Sequence, residues 1–188
     1  RKGIFCFAVV LLILLVAFAA PVGLSNAQTP TMDIYVANTI DQCAGKPQCF
    51  YNDDPDTPQA VALNKAINFA RNNALGGARI HIISAYDIKT NTVTIDFPVN
   101  LIGEVGGWLS TSSSDCSQPM LLITSDVTIR NLTITDGSCS NPSRDLLVIQ
   151  SPFDVTIENV TLEHGNNAIT HKNGLGDLLV RFSEIKNN

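Results

Sequence analysis

The chain has 188 residues, 12 Lys+Arg against 17 Asp+Glu, and a formal charge of −5. With 45% hydrophobic residues it reads as globular, and beyond Arg1 and Lys2 it has no basic cluster of the kind a nucleic-acid binder carries. A single long apolar run excludes a polytopic membrane protein, and abundant Val, Ile and Leu argue against wholesale disorder.

Arg1 and Lys2 precede 17 consecutive apolar residues, Ile4 to Ala20. Ser25-Asn26-Ala27 then places small residues where a signal peptidase cuts, and Pro21 disfavours a cut directly after Ala20. Residues 1–27 are therefore expected to be a cleaved signal peptide. An uncleaved anchor is the competing reading, because 17 apolar residues can just span a thin bilayer. Once the signal is removed no further membrane segment is expected, and the product is secreted or displayed outside the cell.

Export changes how the cysteines read. Cys6 leaves with the signal; Cys43, Cys49, Cys116 and Cys139 remain. An even count in an oxidising compartment points to two disulfides, with three pairings open. Cys43–Cys49 would close a short local loop. The spacings are not those of zinc-binding CxxC pairs.

Residues 28–77 form a Cys-containing segment that ends in a helix. Asp56 or Thr57 can cap it, Pro58 suits the first helical position, and Leu63, Ala66, Ile67, Ala70 and Ala74 fall on one face. The expected span is 58–75, stopped by Gly76-Gly77. Asp53, Asp54 and Asp56 sketch a calcium loop, but acidic residues suit a helix start through the dipole alone, and too few oxygens stand at set spacing. No cofactor or metal is expected on these grounds, with calcium the one candidate.

Residues 78–188 repeat. The stretch 125–137 and the stretch 153–165, 28 residues apart, share seven of 13 positions. Phe97–Gly103 keeps the same apolar phase 28 residues earlier, and Gly176–Phe182 keeps it 23 residues later. Such a period, with short strands and turns, indicates a solenoid. Three strands per coil are expected: Met120–Thr124, Val127–Arg130 and Leu132–Thr135 in one. Leu146–Gln150, Val155–Glu158 and Val160–Glu163 form the next, then Ala168–Thr170, Leu178–Arg181 and Ser183–Lys186. An earlier coil contributes Thr92–Asp96 and Val99–Ile102. The apolar phase slips by one across Arg130-Asn131, which is what a bend requires if both flanking strands are to point inward. The fold expected is all-β: a right-handed parallel β-helix with an N-terminal capping α-helix, its coils incomplete at the C-terminus.

Asn131 and Asn159 occupy the same bend one coil apart, where Asn tolerates left-handed angles and can bond along the stack. Gly103 is expected to fill the equivalent place for the same conformational reason, and Phe182 to break the pattern. Both Asn residues also start N-x-[ST] sequons, which we read as incidental to the stacked role. Adjacent coils lie about 4.8 Å apart, so a Cys116–Cys139 bridge fits the loops of neighbouring coils.

The signal, the Cys-containing segment, the helix, a first strand at Arg79–Ile83 and the phrase Val127–Gly137 together resemble secreted right-handed parallel β-helix proteins of the pectin-lyase-like superfamily, of the bacterial surface-protein type. The resemblance covers roughly residues 33–188. It implies the fold; the superfamily contains lyases, hydrolases, tailspikes and adhesins, so it implies no single activity. Glu163-His164-Gly165 lacks the paired aspartates of a polygalacturonase-like site. Asp136, Asp145, Asp154, Glu163 and Arg144 are scattered over bends, and His164, His171 and Lys172 make a small cluster. Asp136-Gly137 and His164-Gly165 read as equivalent turns. Trp108 is either a stacking surface for a sugar or the plug of an end coil. The leading expectation is a non-catalytic module that binds extracellular polysaccharide or cell-surface glycan. The alternatives are a polysaccharide lyase or glycoside hydrolase with its site on coils outside this chain, and a structural stalk.

Overall fold

A computed structural model describes residues 32–52, 61–89, 92–139, 144–150, 152–174 and 176–188. The expected signal peptide at 1–27, the helix-start residues at 53–60 and the acidic triplet among them lie outside this set.

The repeat closes as a parallel solenoid of about four turns. Each coil runs from sheet A to sheet B to sheet C. The first coil is β3 (Ala78–Ile82), β4 (Ala85–Asp87) and β5 (Val93–Ile95); the second is β6 (Val99–Gly103), β7 (Trp108–Ser110) and β8 (Leu121–Ile123). β9 (Val127–Arg130), β10 (Thr133–Thr135) and β11 (Leu147–Gln150) follow, then β12 (Val155–Glu158), β13 (Thr161–Glu163) and β14 (Ile169–Lys172). β15 (Leu178–Arg181) and β16 (Glu184–Lys186) begin another coil. The expected strand bounds hold to within one or two residues.

Alternation puts one residue in two inside. Ile80, Leu101, Ile129 and Ile157 stack in sheet A, Tyr86, Leu109, Ile134 and Leu162 in sheet B, and Val93, Leu121 and Leu147 in sheet C, all buried. The period-two pattern therefore produces three walls around one narrow core.

The N-terminal segment is more than a cap. β1 (Met32–Ala37) pairs with β3 and β2 (Cys49–Tyr51) pairs with β1, so the first strand of sheet A precedes the helix and does not follow it. A short 3₁₀ turn, Ile40–Cys43, separates them, and the Cys43–Cys49 disulfide ties its end to β2. The helix α1 spans Ala62–Asn73 and packs on β1, β2, β3 and β5 through Ala62, Leu63, Ala66, Ile67 and Ala70. It ends at Ala74, before the glycines; Gly77, at φ +110, turns the chain into β3. Val61 at its start offers no capping side chain. The first helical N–H groups are instead taken by the coil below: Asn52 Oδ1 accepts from Ala62 N at 3.1 Å and Tyr86 Oη from Leu63 N at 3.0 Å. Tyr86 also donates to Asn52 at 3.0 Å, and burial raises its phenol well above the usual value.

The bend between sheets A and B is left-handed in every coil. The positive φ falls on Ser84, Gly106, Asn131, Asn159 and Phe182 in turn. Phe182 keeps the backbone pattern and exposes its ring. Asn159 Nδ2 donates to Asn131 Oδ1 at 2.9 Å, the stacked bond the repeat implied. Gly103 does not share the reason proposed for it: Gly106 takes the left-handed angle in that coil. Gly103 is glycine because an added Cβ would sit 2.1 Å from the carbonyl oxygen of Asn131. The bend between sheets C and A carries its own ladder, Asp126 accepting from Asp154 N at 2.9 Å and Asp154 from Asp177 N at 2.8 Å.

Candidate functional site

On the outer face of sheet C the bends rise above the strands and leave a cleft of about 390 Å³. Its floor includes Leu122 and Val148, neighbours on β8 and β11. Val148 is buried although it points away from the core, which shows how far the walls close over the sheet. One wall is the segment 116–119, fixed by the Cys116–Cys139 disulfide, whose Cα atoms are 5.9 Å apart. Gln150, Lys172, Asp145 and Asn166 form the polar rim. An apolar floor with a few convergent polar groups is the usual make-up of a ligand site.

Beneath the wall, Arg144 and Asp136 pair with both side chains wholly buried, Nε to Oδ2 at 3.2 Å. Arg144 Nη2 donates to Ser113 O at 2.6 Å and to Cys139 Sγ at 3.1 Å, while Asp136 Oδ1 accepts from Ser138 N and Cys139 N. Asp136-Gly137 is therefore not a plain turn equivalent to His164-Gly165: Asp136 is buried in an ion pair, and His164 is exposed with φ +62. The structure also separates the expected His164, His171, Lys172 group. His171 pairs with inward-facing Ile149 and turns inward, its Nε2 buried without a partner among the described residues. Lys172 reaches the cleft, and His164 Nδ1 meets Thr135 Oγ1 at 3.3 Å.

Asp145 organises the rim. Its carboxylate accepts from Asn166 Nδ2 at 3.1 Å, Asn167 Nδ2 at 2.8 Å and Thr170 Oγ1 at 2.9 Å. Burial raises its pKa, but these bonds together outweigh burial and hold the carboxyl below its usual 3.8. A depressed carboxyl adds stability that is present above the unfolded pKa and is lost as pH falls through the folded one. Between about pH 4 and pH 2 the Tm of the parent is thus expected to fall more steeply than that of Asp145→Asn. Thermal unfolding followed across that window checks it; parallel curves would remove Asp145 as a charged rim anchor.

Trp108 stands apart from the cleft, on the outer face of sheet B, beside Ala85 and Thr133 and 43% exposed. It does not plug an end coil; Leu109 supplies the buried side chain of β7. On sheet A the outward charges are paired: Arg79 with Asp33 at 2.7 Å, His81 between Asp33 and Glu104, and Glu158 between Arg130 and Arg181. No cluster of three His, Cys, Asp or Glu suited to a metal occurs among the described residues, and none of their helices is long and apolar enough to cross a membrane. Both disulfides place the chain in an oxidising compartment.

No protein-family model, curated protein or solved structure matches the chain.

Proposed function

We propose that the chain is a secreted or surface-displayed β-helix module, of the pectin-lyase-like type, that holds an extracellular glycan in the sheet C cleft without cleaving it. The observation that carries this reading is the state of the cleft's own carboxylate. Three side-chain donors occupy Asp145, so it orders Asn166, Asn167 and Thr170 and is not poised to move a proton. Leu122, half-buried on the floor, suits the apolar face of a sugar ring, with Val148 packed beneath the walls beside it. Gln150 and Asn166 suit its hydroxyls, and Lys172 gives the rim a cation for an acidic sugar.

The test is to incubate the full chain with acidic and neutral polysaccharides and follow both retention and products. Saturable retention of an acidic polymer, with no new reducing ends and no unsaturated products, is the expected result. Lys172→Ala should weaken that retention by about tenfold, the loss of one charge-assisted hydrogen bond. Turnover products would establish the lyase or hydrolase reading instead, and no retention of any polymer would leave a stalk.

A further inference from the structure

We infer that a second glycan contact lies on the opposite side of the solenoid, in the groove along the bend between sheets A and B, with Trp108 as its stacking surface and a neutral linear glycan as its ligand. The inference rests on the glycan-binding reading above and adds a site of different chemistry to it.

The groove has a volume of about 460 Å³ and crosses several coils. Gly103, Gly106 and Gly107 line it where the backbone is tightly folded; a Cβ on Gly107 would lie 2.5 Å from Gly103 Cα. Gly103 and Gly107 are buried, their outward space already filled by neighbouring main chain, and the open main chain of the groove is at Gly106, where a Cβ would meet nothing within 4 Å. Asn131 and Asn159 line the groove too. Their mutual bond uses Asn131 Oδ1 and Asn159 Nδ2. Asn131 Nδ2 and Asn159 Oδ1 keep a donor and an acceptor with no partner among the described residues. Thr133 and Thr161, paired strand to strand, add hydroxyls at the coil spacing of about 4.8 Å. That spacing is close to the length of one ring in an extended glycan.

Trp108 does not line the groove but borders it, next to the lining residues Gly107 and Thr133. It follows Gly107 directly and pairs with Thr133 on the outer face. Every other residue of its row, Ala85, Thr133, Thr161 and Glu184, is small or polar. The indole ring is half-exposed over that row, and its N–H has no partner among the described residues. A ring with an apolar face and one free donor matches a pyranose, which offers C–H groups on its face and hydroxyls at its edge. The charge argues for a neutral ligand. Glu104 is the groove's one ionisable residue, and its carboxylate already meets His81 Nδ1 at 2.6 Å. Nothing cationic lines the groove to attract an acidic polymer.

The chain contains a single tryptophan, so its emission reports on the border of this groove and on no other place. Cellohexaose and mannohexaose are titrated into the full chain. At least one is expected to give a saturable blue shift and to protect the indole from acrylamide quenching. By calorimetry, Trp108→Ala should weaken that hexaose by about tenfold or more, the usual scale for an aromatic anchor. Thr133→Val should weaken it less, and Lys172→Ala should leave it unchanged. The proposal is overturned if neither hexaose changes the emission, or if Trp108→Ala binds as tightly as the parent. A lowered Tm for Trp108→Ala with unchanged affinity overturns it in favour of strand packing. Loss of hexaose binding in Lys172→Ala moves the neutral ligand to the sheet C cleft, which overturns the groove and preserves glycan binding. Failure of every polysaccharide at both places removes both readings.

Discussion

Asp136→Ala is expected to destabilise the protein by about 3–5 kcal/mol, the cost of removing one partner from a buried ion pair. For a chain of this size that lowers Tm by on the order of 10 °C. The carboxylate does two jobs that no solvent can take over. It faces the guanidinium of Arg144 at 3.2 Å with both side chains wholly buried. It also accepts from the backbone N–H groups of Ser138 and Cys139, which hold the loop beside the Cys116–Cys139 disulfide. Asp136→Asn keeps the size and an acceptor and loses the charge, so it should fall between the parent and the alanine variant. The decisive comparison is the double variant Asp136→Leu with Arg144→Met. Replacing both ends of a buried pair by apolar groups is often neutral or stabilising, whereas breaking it is not. The double variant should therefore be more stable than Asp136→Ala alone. Urea unfolding of these variants, with Asp136→Leu and Arg144→Met also measured singly, checks this, and additive losses would show that the pair is not coupled. The disulfide joins that loop to a wall of the sheet C cleft, so the single variant should also lose the glycan retention proposed for the cleft, at temperatures where the core still holds.

Much of the architecture was legible in the residues, because a solenoid writes its period into the chain. The 28-residue offset, the alternation of Val127 and Ile129, and the phase slip at Asn131 give three walls directly, and the observed register pairs Val127 with Val155 and Ile129 with Ile157. Legibility fails where a coil stops resembling its neighbour. β4 and β7 have one inward residue each, Tyr86 and Leu109, and a single apolar position has no period. β1 has no signature in the repeat because its two partners in sheet A, β2 at 14 positions and β3 at 46 positions across the helix, share no common offset with the 28-residue period. The reading of Gly103 failed for a physical reason: phase locates a residue in a coil but does not distinguish a glycine needed for its backbone angle from one needed for space.

The site was less legible than the fold. Cys116 and Cys139 were open to pairing once the coils were aligned, and they pair. The cleft itself is assembled from bends of unequal length, at 116–119, 144–145 and 166, and nothing periodic connects them. Asp136 and Arg144 lie eight positions apart and outside any described strand or helix, so no periodic spacing reveals their ion pair. Trp108 stands out in the sequence as the chain's single tryptophan, but only the register shows that it faces outward, between Ala85 and Thr133.

Gly103→Ala is expected to cost about 3 kcal/mol, at the upper end for inserting one methyl into a closed place. The new Cβ would lie 2.1 Å from Asn131 O and 3.1 Å from Leu132 Cδ1, where the next coil bends over β6. The obstructing atom is main chain, so it can move only by disturbing the pairing of β6 with β9. Gly103 is not in the left-handed region, so backbone strain adds nothing and the effect is steric. Asn131 is the reverse case. It holds φ +54 in an exposed bend, so Asn131→Gly loses the Asn159 bond but relieves the backbone and should be close to neutral. Asn131→Ala keeps a Cβ in the left-handed region and should cost about 1–2 kcal/mol. Swapping residues between the coils then separates space from conformation. If the two bend positions were interchangeable, Gly103→Asn would extend the asparagine ladder by one rung and match the parent. With Asn131 O where it is, Gly103→Asn should be at least as unstable as Gly103→Ala. A parent-like Tm for Gly103→Asn would refute the close approach of the two coils at this point.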